Sequence, residues 1–567
     1  MRGVLSLLTI ALLVGVGCPA GSQSRPVTGP TSRPDATSAP TSTTTTPPHF
    51  MPRSQIKADR LVWAYLDGKK RAMDVDEARA YGFTIVDLSD DWVPYIFWSQ
   101  TPGKEDYKAN RYLSTYVDLA NDRIDVDGGR LRKGSHKYME VYGIPPALSV
   151  IQKRFSEDEK KSCYRHLNYK LFEEYFGPVR IVDRPSSKRL RRRYISAKAQ
   201  FKKARRATRR ASLEQLLQNK KWRKVARKYQ RLRWQYNALV AMHERLACEG
   251  LYGRHIPRVK PGVVTWAVRN ALRRFERKHN VYGWGMIFGN TAKALGATAR
   301  ENNFASLKRV IAERVISAAG IFEDGTTRSR YVGADGKRHR VGNVVKEFSK
   351  AAWHALGLTD ADTSLAWIKD KRFDGRYFVA LKLPPLPEYY DKVMNLSVVI
   401  DRGDIWYDLP FDEKTGKRRP QPRKRLPKVT IYTTYRGKKI ALVRWRTTIG
   451  GWKKEKRGSE EFYKYKISDV GKRVWRNIVA GPVWVPPNKT PTTDLVKIRS
   501  VRGHAQRIVA QSAFGPGYAS AYGLVAAYHV TPRGFRDNQV RMHGTVNYMS
   551  VRNGFSHGCH RLYNYRA

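Results

Sequence analysis

Cysteine is scarce, with four in 567 residues. That excludes a small fold stapled by disulfides, and the lack of any Cys-x-x-Cys pair argues against a structural zinc site. Acidic residues are few as well: Asp plus Glu is 49 against 107 Lys plus Arg, a formal net charge of +58. A surplus of that size implies a polyanionic neighbourhood or a strongly basic segment. Long apolar runs are missing except at the amino end, so no interior stretch reads as a membrane span. What is present still suffices for buried cores, because 41% of residues are hydrophobic. The length corresponds to three or four domains at about 150 residues each.

Residues 1–20 begin with Arg2 and then an apolar run from Val4 to Val16. A bilayer span takes about 20 residues, so this shorter run reads as a secretory signal. Two readings of Cys18 stand. It follows Val14-Gly15-Val16-Gly17, which resembles a bacterial lipoprotein cleavage box except for Gly15 where Leu is usual; Cys18 is then the lipidated first residue of the mature chain. In the other reading cleavage is ordinary and falls near Ala20. Export changes the meaning of the charge, from nucleic acid to the carboxylates and phosphates of a cell envelope. Residues 21–52 are rich in Thr, Ser and Pro, including Ser42-Thr43-Thr44-Thr45-Thr46-Pro47-Pro48. They cannot bury a core and are expected to be an extended, solvated tether.

Residues 53–185 have a globular pattern without a chemical motif. Tyr81 to Leu88 reads as a strand, and Ser156 to Tyr175 has helical spacing. Residues 186–245 differ sharply. From Lys188 to Arg233 there are 20 Lys or Arg, one acid (Glu214), and no Pro or Gly. Leu213, Leu216, Leu217, Val225, Tyr229, Leu232, Tyr236 and Leu239 recur at helical intervals, which predicts one or two long basic helices. Either the segment holds an anionic envelope polymer, weakly and in a salt-sensitive way, or it is a solvated face whose Arg and Lys stems cover apolar surface. Cys163 and Cys248 flank these helices. They are either a disulfide, which an oxidising compartment permits, or two small buried thiols.

In residues 250–320, Val264, Val268, Leu272 and Phe275 share a helical face between Val263 and Asn280. Gly283-Trp284-Gly285 then reads as a turn, and Asn290 to Leu295 as a short helix capped by Asn290. Phe275, the His279-Asn280 turn and the Thr291-to-Leu295 helix resemble the small peptidoglycan-binding module found beside cell-wall enzymes; a plain three-helix bundle is the other reading. Phe304 to Ala319 reads as a further helix, and 321–394 as a connecting region.

The last third, 395–567, changes to alternating apolar and polar residues. Val429 to Thr434 and Ile440 to Ile449 around Arg436-Gly437 predict a β-hairpin, and Val479 to Val485 and Gly523 to Val530 further strands. Near the end stand Met542-His543-Gly544-Thr545 and Gly554-Phe555-Ser556-His557-Gly558-Cys559-His560-Arg561, with His543 and Cys559 16 residues apart. A free thiol is only a few per cent thiolate at neutral pH, and an imidazole beside it can take the proton. Gly544 and Gly558 let the backbone approach a substrate and offer amides to an oxyanion. Arg561 can hold a carboxylate through two hydrogen bonds. A zinc site from His557, His560 and Cys559 is the competing reading, but no further acidic or Cys ligand lies close in sequence.

These two motifs, at this interval, resemble the L,D-transpeptidase (YkuD-like) catalytic domain, whose signature is His-Gly-Thr followed by Ser-His-Gly-Cys-x-Arg or -Asn. Pro482 to Pro487 and Gly515 to Gly523 are similar to two upstream stretches of that family. The resemblance implies a multidomain chain: a mostly-β catalytic domain at the C-terminus, preceded by α-helical regions that include the three-helix module. It implies Cys559 as nucleophile, His543 as proton acceptor and donor, and His557 as a residue lining the site. Ser556, Gly558, Gly544 and Thr545 would shape the loop and oxyanion site, with the amides of Gly558 and Cys559 as donors, and Arg561 would order the loop or hold a carboxylate. The implied substrate is a peptidoglycan tetrapeptide stem, cross-linked through a thioester, with no cofactor and no metal. The implied location is the periplasm or cell envelope, with a possible lipid anchor and no nucleic-acid partner. Three departures are visible, the first being His560 at a position more often Ile or Val. Gly450-Gly451-Trp452-Lys453 stands where the family has Thr-Pro-x-Gly, and Ala567 follows Cys559 by eight residues where members continue into a helix and strand. A wall-binding protein with an inactive remnant is the alternative of a different class and a nucleic-acid-binding protein built on the basic helices a third, which the secretory signal argues against; with water as acceptor the same chemistry is that of an L,D-carboxypeptidase.

Overall fold

The structure, a computed structural model, describes residues 52–567 apart from 67, 101–106, 125–139, 174–178, 181–183, 253–255, 257, 284–285, 392–393, 418, 420, 422–423, 489, 491 and 502–503. The signal stretch, Cys18, the tether up to Met51 and the Trp284-Gly285 turn lie outside the described residues. Among those described, no helix is long and apolar enough to cross a membrane.

The chain opens with strands β1 (Leu61–Leu66), β2 (Lys69–Asp74) and β3 (Thr84–Asp87), then helix α1 (Leu148–Glu159). The helical spacing seen from Ser156 onward is not continued. Asp158 instead accepts hydrogen bonds from Lys161 Nζ (2.9 Å) and Tyr164 Oη (3.1 Å), which turns the chain. Cys163 there is disulfide-bonded to Cys248, Cα to Cα 5.8 Å.

The basic segment forms two long helices, α2 (Arg184–Ala207) and α3 (Arg223–Cys248). They run antiparallel, since Tyr194 stacks on Tyr236 (4.4 Å) while Phe201 stacks on Tyr229 (4.1 Å). Ala197, Phe201, Ala204, Ala226, Tyr229 and Leu232 are the buried seam between them. The end of α3 then packs with α4 (Trp266–Lys278) and α5 (Asn290–Gly296) around Trp234, Met242, Leu246, Leu272, Phe275 and Leu295. Thr265 caps α4 through Val268 N, and Asn280 takes the positive φ (51°) of the following turn. The expected cap of α5 differs. Asn290 is its first helical residue, and the cap position belongs to Gly289 at φ +48°, a conformation that favours glycine.

Helices α6 (Ala299–Ala319), α7 (Val344–Ala355) and α8 (Ala361–Lys369) bring the chain back to its beginning. Strand β4 (Phe378–Leu381) enters between β1 and β3, giving the order β2-β1-β4-β3. It is parallel to β1, with Val379 opposite Trp63, and antiparallel to β3, with Val379 opposite Val86. One apolar core joins Leu148, Ile151 and Phe155 to Leu307, Ile311, Phe348 and Ile368. Sheet and core therefore run across the boundaries expected at 185 and 320. The reason is a gap one strand wide between β1 and β3, which residues 378–381 fill.

The remaining chain holds strands β5 (Leu396–Asp401), β6 (Lys428–Tyr435), β7 (Lys438–Arg446), β8 (Gly451–Arg457), β9 (Glu460–Lys466), β10 (Val474–Ala480), β11 (Val525–Val530), β12 (Asp537–Thr545) and β13 (His560–Tyr563), with α9 (Tyr548–Asn553) before β13. Arg436 and Gly437, at φ +49° and +73°, make the two-residue turn between β6 and β7. The strand expected at Val479–Val485 lies earlier and stops at Gly481, whose φ is +60° and which Pro482 follows. A β5-β6-β7 sheet packs against a β10-β11-β12-β13 sheet through Val429, Val443 and Trp445 on one side and Ala527, Met542 and Leu562 on the other. Ala480, Tyr518 and Leu524 meet Phe97, Tyr116 and Ile144 in a second core, so the early chain buttresses the late sheet.

Asn564 locks this contact. Its Nδ2 donates to Tyr142 O (2.8 Å) and Tyr518 O (3.3 Å), and its Oδ1 accepts from Leu524 N (3.3 Å). Replacing it with an isosteric apolar group leaves those three buried backbone groups unpaired. Asn564→Leu is expected to lose about 3 kcal/mol, read as a lower urea midpoint by tryptophan fluorescence; an unchanged midpoint would refute the role.

Candidate functional site

The two motifs meet on β12 and β13, which are parallel and register His543 opposite Arg561. Cys559 lies in the bend directly before β13, two residues ahead of Arg561, and the Arg561 charge acts on both its thiol and His543. His560 faces the other way: its ring stacks on His529 at 5.6 Å and its Nδ1–H donates to Thr448 O at 2.9 Å. Among the described residues no cluster of His, Cys, Asp and Glu is arranged to hold a metal ion.

Side-chain hydroxyls fix the cysteine loop. Thr448 Oγ1 donates to Cys559 O (2.8 Å) and accepts from Arg561 N (2.9 Å), and Thr447 Oγ1 donates to Arg561 O (3.1 Å). Ser556 is fully buried; its Oγ lies 2.6 Å from Cys559 O and 2.9 Å from Ile449 O, and accepts from Gly558 N at 3.1 Å. Ser468 Oγ donates to Gly558 O (2.5 Å). Gly558 has φ +117°, where a side chain is strained, and a Cβ would come 3.3 Å from Ile467 O at the end of the β8–β9 hairpin. The sequence reading expected the Gly558 amide to be an oxyanion donor; in the structure Ser556 takes it.

His543 is 2% exposed. Its Nδ1–H donates to Gly544 O at 2.6 Å, so Nε2 carries the lone pair that can accept a proton. Burial, then the charge of Arg561, pull its pKa down to about 3, against the carbonyls of Gly544 and Tyr522. Gly544 is hemmed in by Asn564, whose Oδ1 would lie 2.2 Å from an added Cβ. Thr545 Oγ1 accepts from Asn547 N (3.0 Å), a local turn leading into α9. His557 is the exposed member of the loop. Crowding by the protein, then the charges of Lys453, Arg561 and Lys466, pull it down to about 4.

Cys559 is half-buried and has no disulfide partner. Burial pushes its pKa up, while the Arg541 N–H and the charges of Arg561 and Arg541 oppose that rise. Its Sγ donates weakly to Gln539 O at 3.9 Å, and among the described residues it makes no hydrogen bond to His543. Gln539 presents that carbonyl from a left-handed conformation, φ +62°, rare for a residue other than glycine. Tyr522 bridges the two groups: its ring meets His543 edge-on at 5.1 Å, and burial, then the nearby thiol, raise its pKa to about 12.

Two guanidiniums flank the thiol with different electrostatics. Arg541 is neutralised by Asp537 through two 2.5 Å contacts and lies 4.0 Å over the Tyr528 ring. Arg561 has no carboxylate partner among the described residues, and its Nε is buried without an acceptor. A half-buried guanidinium with a buried, unpartnered Nε beside a thiol is an electrostatically uncompensated spot.

The sequence reading missed Thr447, Thr448, Ser468, Gln539, Tyr522 and Arg541. A signal existed for the threonines. Thr447-Thr448-Ile449-Gly450 directly precedes and overlaps the Gly450-to-Lys453 stretch noted as a departure. Tyr522 lies in the Gly515-to-Gly523 stretch already singled out, while Ser468, Gln539 and Arg541 are placed by folding alone. Compared with known proteins, the chain matches no family model, no curated protein and no solved structure.

His529, His543 and His560 are all buried, and burial first among the causes lowers their pKa values from 6.5 to about 4, 3 and 4. Below pH 6.5 the unfolded chain binds protons that these folded rings refuse. Stability is therefore full above pH 6.5 and falls as pH drops toward 4, by about 2 kcal/mol per histidine at about pH 5. Urea melts at neutral pH and about pH 5 are expected to show the lower midpoint in acid, and less of it in His560→Gln; equal sensitivity in that variant would contradict the assignment.

Proposed function

We propose that this chain is a cysteine acyltransferase of the L,D-transpeptidase kind, acting on peptidoglycan stem peptides in the cell envelope. The observation that carries the reading is the register that sets His543 opposite Arg561, with Cys559 directly before the same strand and the Arg561 charge acting on both. The reading rests on this motif and its geometry, not on overall similarity to a known protein. The amino-terminal signal and the resemblance of residues 250–320 to a peptidoglycan-binding module agree with it.

His543 is neutral at physiological pH and takes the proton of Cys559 as the sulfur attacks the carbonyl of the third, L-centred residue of a tetrapeptide stem. The thiol first leaves the Gln539 carbonyl, a weak tether that a bound substrate replaces. Arg561 anchors a substrate carboxylate. The tetrahedral intermediate collapses as the His543 imidazolium returns its proton to the departing D-Ala amine, leaving a thioester on Cys559. The side-chain amine of a second stem then attacks the thioester, and the sulfur leaves and recovers a proton. The energy of one amide passes to the next, so neither cofactor nor metal is invoked. Holding both partners neutral at rest keeps the thiol from stray oxidation until a substrate excludes water.

The test is incubation of protein lacking residues 1–52 with tetrapeptide muropeptides, followed by mass spectrometry. Loss of D-Ala with dimer formation is the expected result. Loss without dimers makes water the acceptor and the protein a carboxypeptidase. No product, together with no carbapenem adduct on Cys559, supports the non-catalytic wall-binding alternative and ends the proposal. Cys559→Ala is expected to abolish turnover with the fold intact, and His543→Ala to slow it by about 10²- to 10⁴-fold.

A further inference from the structure

The basic helices have no role in that chemistry, and their arrangement is costly. Lys188/Arg192, Arg189/Arg193, Lys198/Lys202, Lys202/Arg206, Arg223/Arg227 and Lys224/Lys228 place like charges four residues apart, where they repel across one helical turn. Of the 20 cations from Lys188 to Arg233, 19 are exposed and Arg191 is half-buried. Among the described residues none of them pairs with a carboxylate. A local conflict repeated this often marks a function, because an anion from outside removes it.

The frame beneath the charges is rigid. Tyr194, Phe201, Tyr229 and Tyr236 are stacked between the helices. The base is tied by the Cys163–Cys248 disulfide and by Val264 N–H donating to Ser187 Oγ at 2.9 Å. The 24 residues of α2 extend about 36 Å at 1.5 Å per residue.

We propose that this helical hairpin is a docking surface for a flexible, linear phosphodiester polymer without bases, of the polyol-phosphate kind. Three observations select that occupant. On α2 the buried Ser187, Ala197, Phe201 and Ala204 and the half-buried Leu190 and Tyr194 form one stripe at three- and four-residue spacing, and the cations occupy the rest of the circumference. A planar anionic membrane reaches one side of such a rod, whereas a flexible chain can follow several. Exposed apolar side chains that could enter a bilayer are limited to Ile195 among the described residues of α2 and α3. Tyr194, Phe201, Tyr229 and Tyr236 are consumed by the internal stack and Trp222 packs half-buried against the same core under Lys221, so the surface reads phosphates more than bases. The grip is Coulombic and releases counterions, so it weakens with salt. The inference stands apart from the acyltransferase reading.

The experiment measures binding of fluorescent poly(glycerol phosphate) to the full chain by anisotropy, from about 50 to about 200 mM salt. Two variants are compared: Lys202→Gln/Lys203→Gln/Arg205→Gln/Arg206→Gln, and Arg223→Gln/Lys224→Gln/Arg227→Gln/Lys228→Gln. Glutamine keeps helix propensity, and circular dichroism checks that the helices remain. Each variant is expected to bind at least ten-fold more weakly and to flatten the log–log salt slope by about 3, near 0.7 per lost contact. Acylation of Cys559 by a carbapenem is expected to be unchanged, which separates this result from failure of the active-site reading. Unchanged affinity in both variants overturns the proposal. So does tighter binding, at equal phosphate, to single-stranded DNA or to anionic lipid vesicles.

Discussion

Parallel pairing of two short strands, Asp537–Thr545 and His560–Tyr563, is the constraint on which the site depends. The pairing fixes His543 opposite Arg561 and so sets where the loop carrying Cys559 joins the sheet. A slip of one residue would turn Arg561 into the core between the sheets and bring His560 to the surface, because strand side chains alternate. The fold resists that slip from both ends. Thr447 and Thr448 hold the backbone of Cys559 and Arg561 at the start of the strand. Asn564, just past its end, is hydrogen-bonded to three separate segments. The hydroxyls and the amide are the register marks of a strand only four residues long.

The electrostatics follow from that placement. Packing under Asn564 and Tyr522 dries out His543, which therefore stays neutral. The same dryness raises the thiol, so the resting pair is uncharged and poised. Arg561 is the exception, a guanidinium without a carboxylate in a region where Arg541 has Asp537. A neutral imidazole and thiol beside one uncompensated cation leave a local charge that no carboxylate among the described residues balances.

Much of this was legible in the sequence. Alternation around Arg436-Gly437 predicts the hairpin, and positive φ at both residues supplies its physical reason. The absence of Pro and Gly between Lys188 and Arg233 predicts long helices. His543, Cys559 and Arg561 stood out because reactive residue types were crowded between glycines. Other features were illegible for a common reason: they rest on contacts between distant segments. Residues 378–381 look like any apolar tetrad until β1 and β3 leave a gap for them. Ser468 and Asn564 are ordinary polar residues whose importance lies in which backbone groups they meet. The Gly558 amide looked free because its acceptor, Ser556 Oγ, depends on the fold of the loop and not on spacing.

The strand Phe378–Leu381 has a consequence in time. It completes a sheet begun some three hundred residues earlier, at Leu61. A nascent chain thus carries an open-sided sheet until residue 381 has emerged, with all residues of the basic hairpin already synthesised. Unpaired edges of that kind invite wrong partners. The early chain must remain loose, or be guarded, until its last strand arrives.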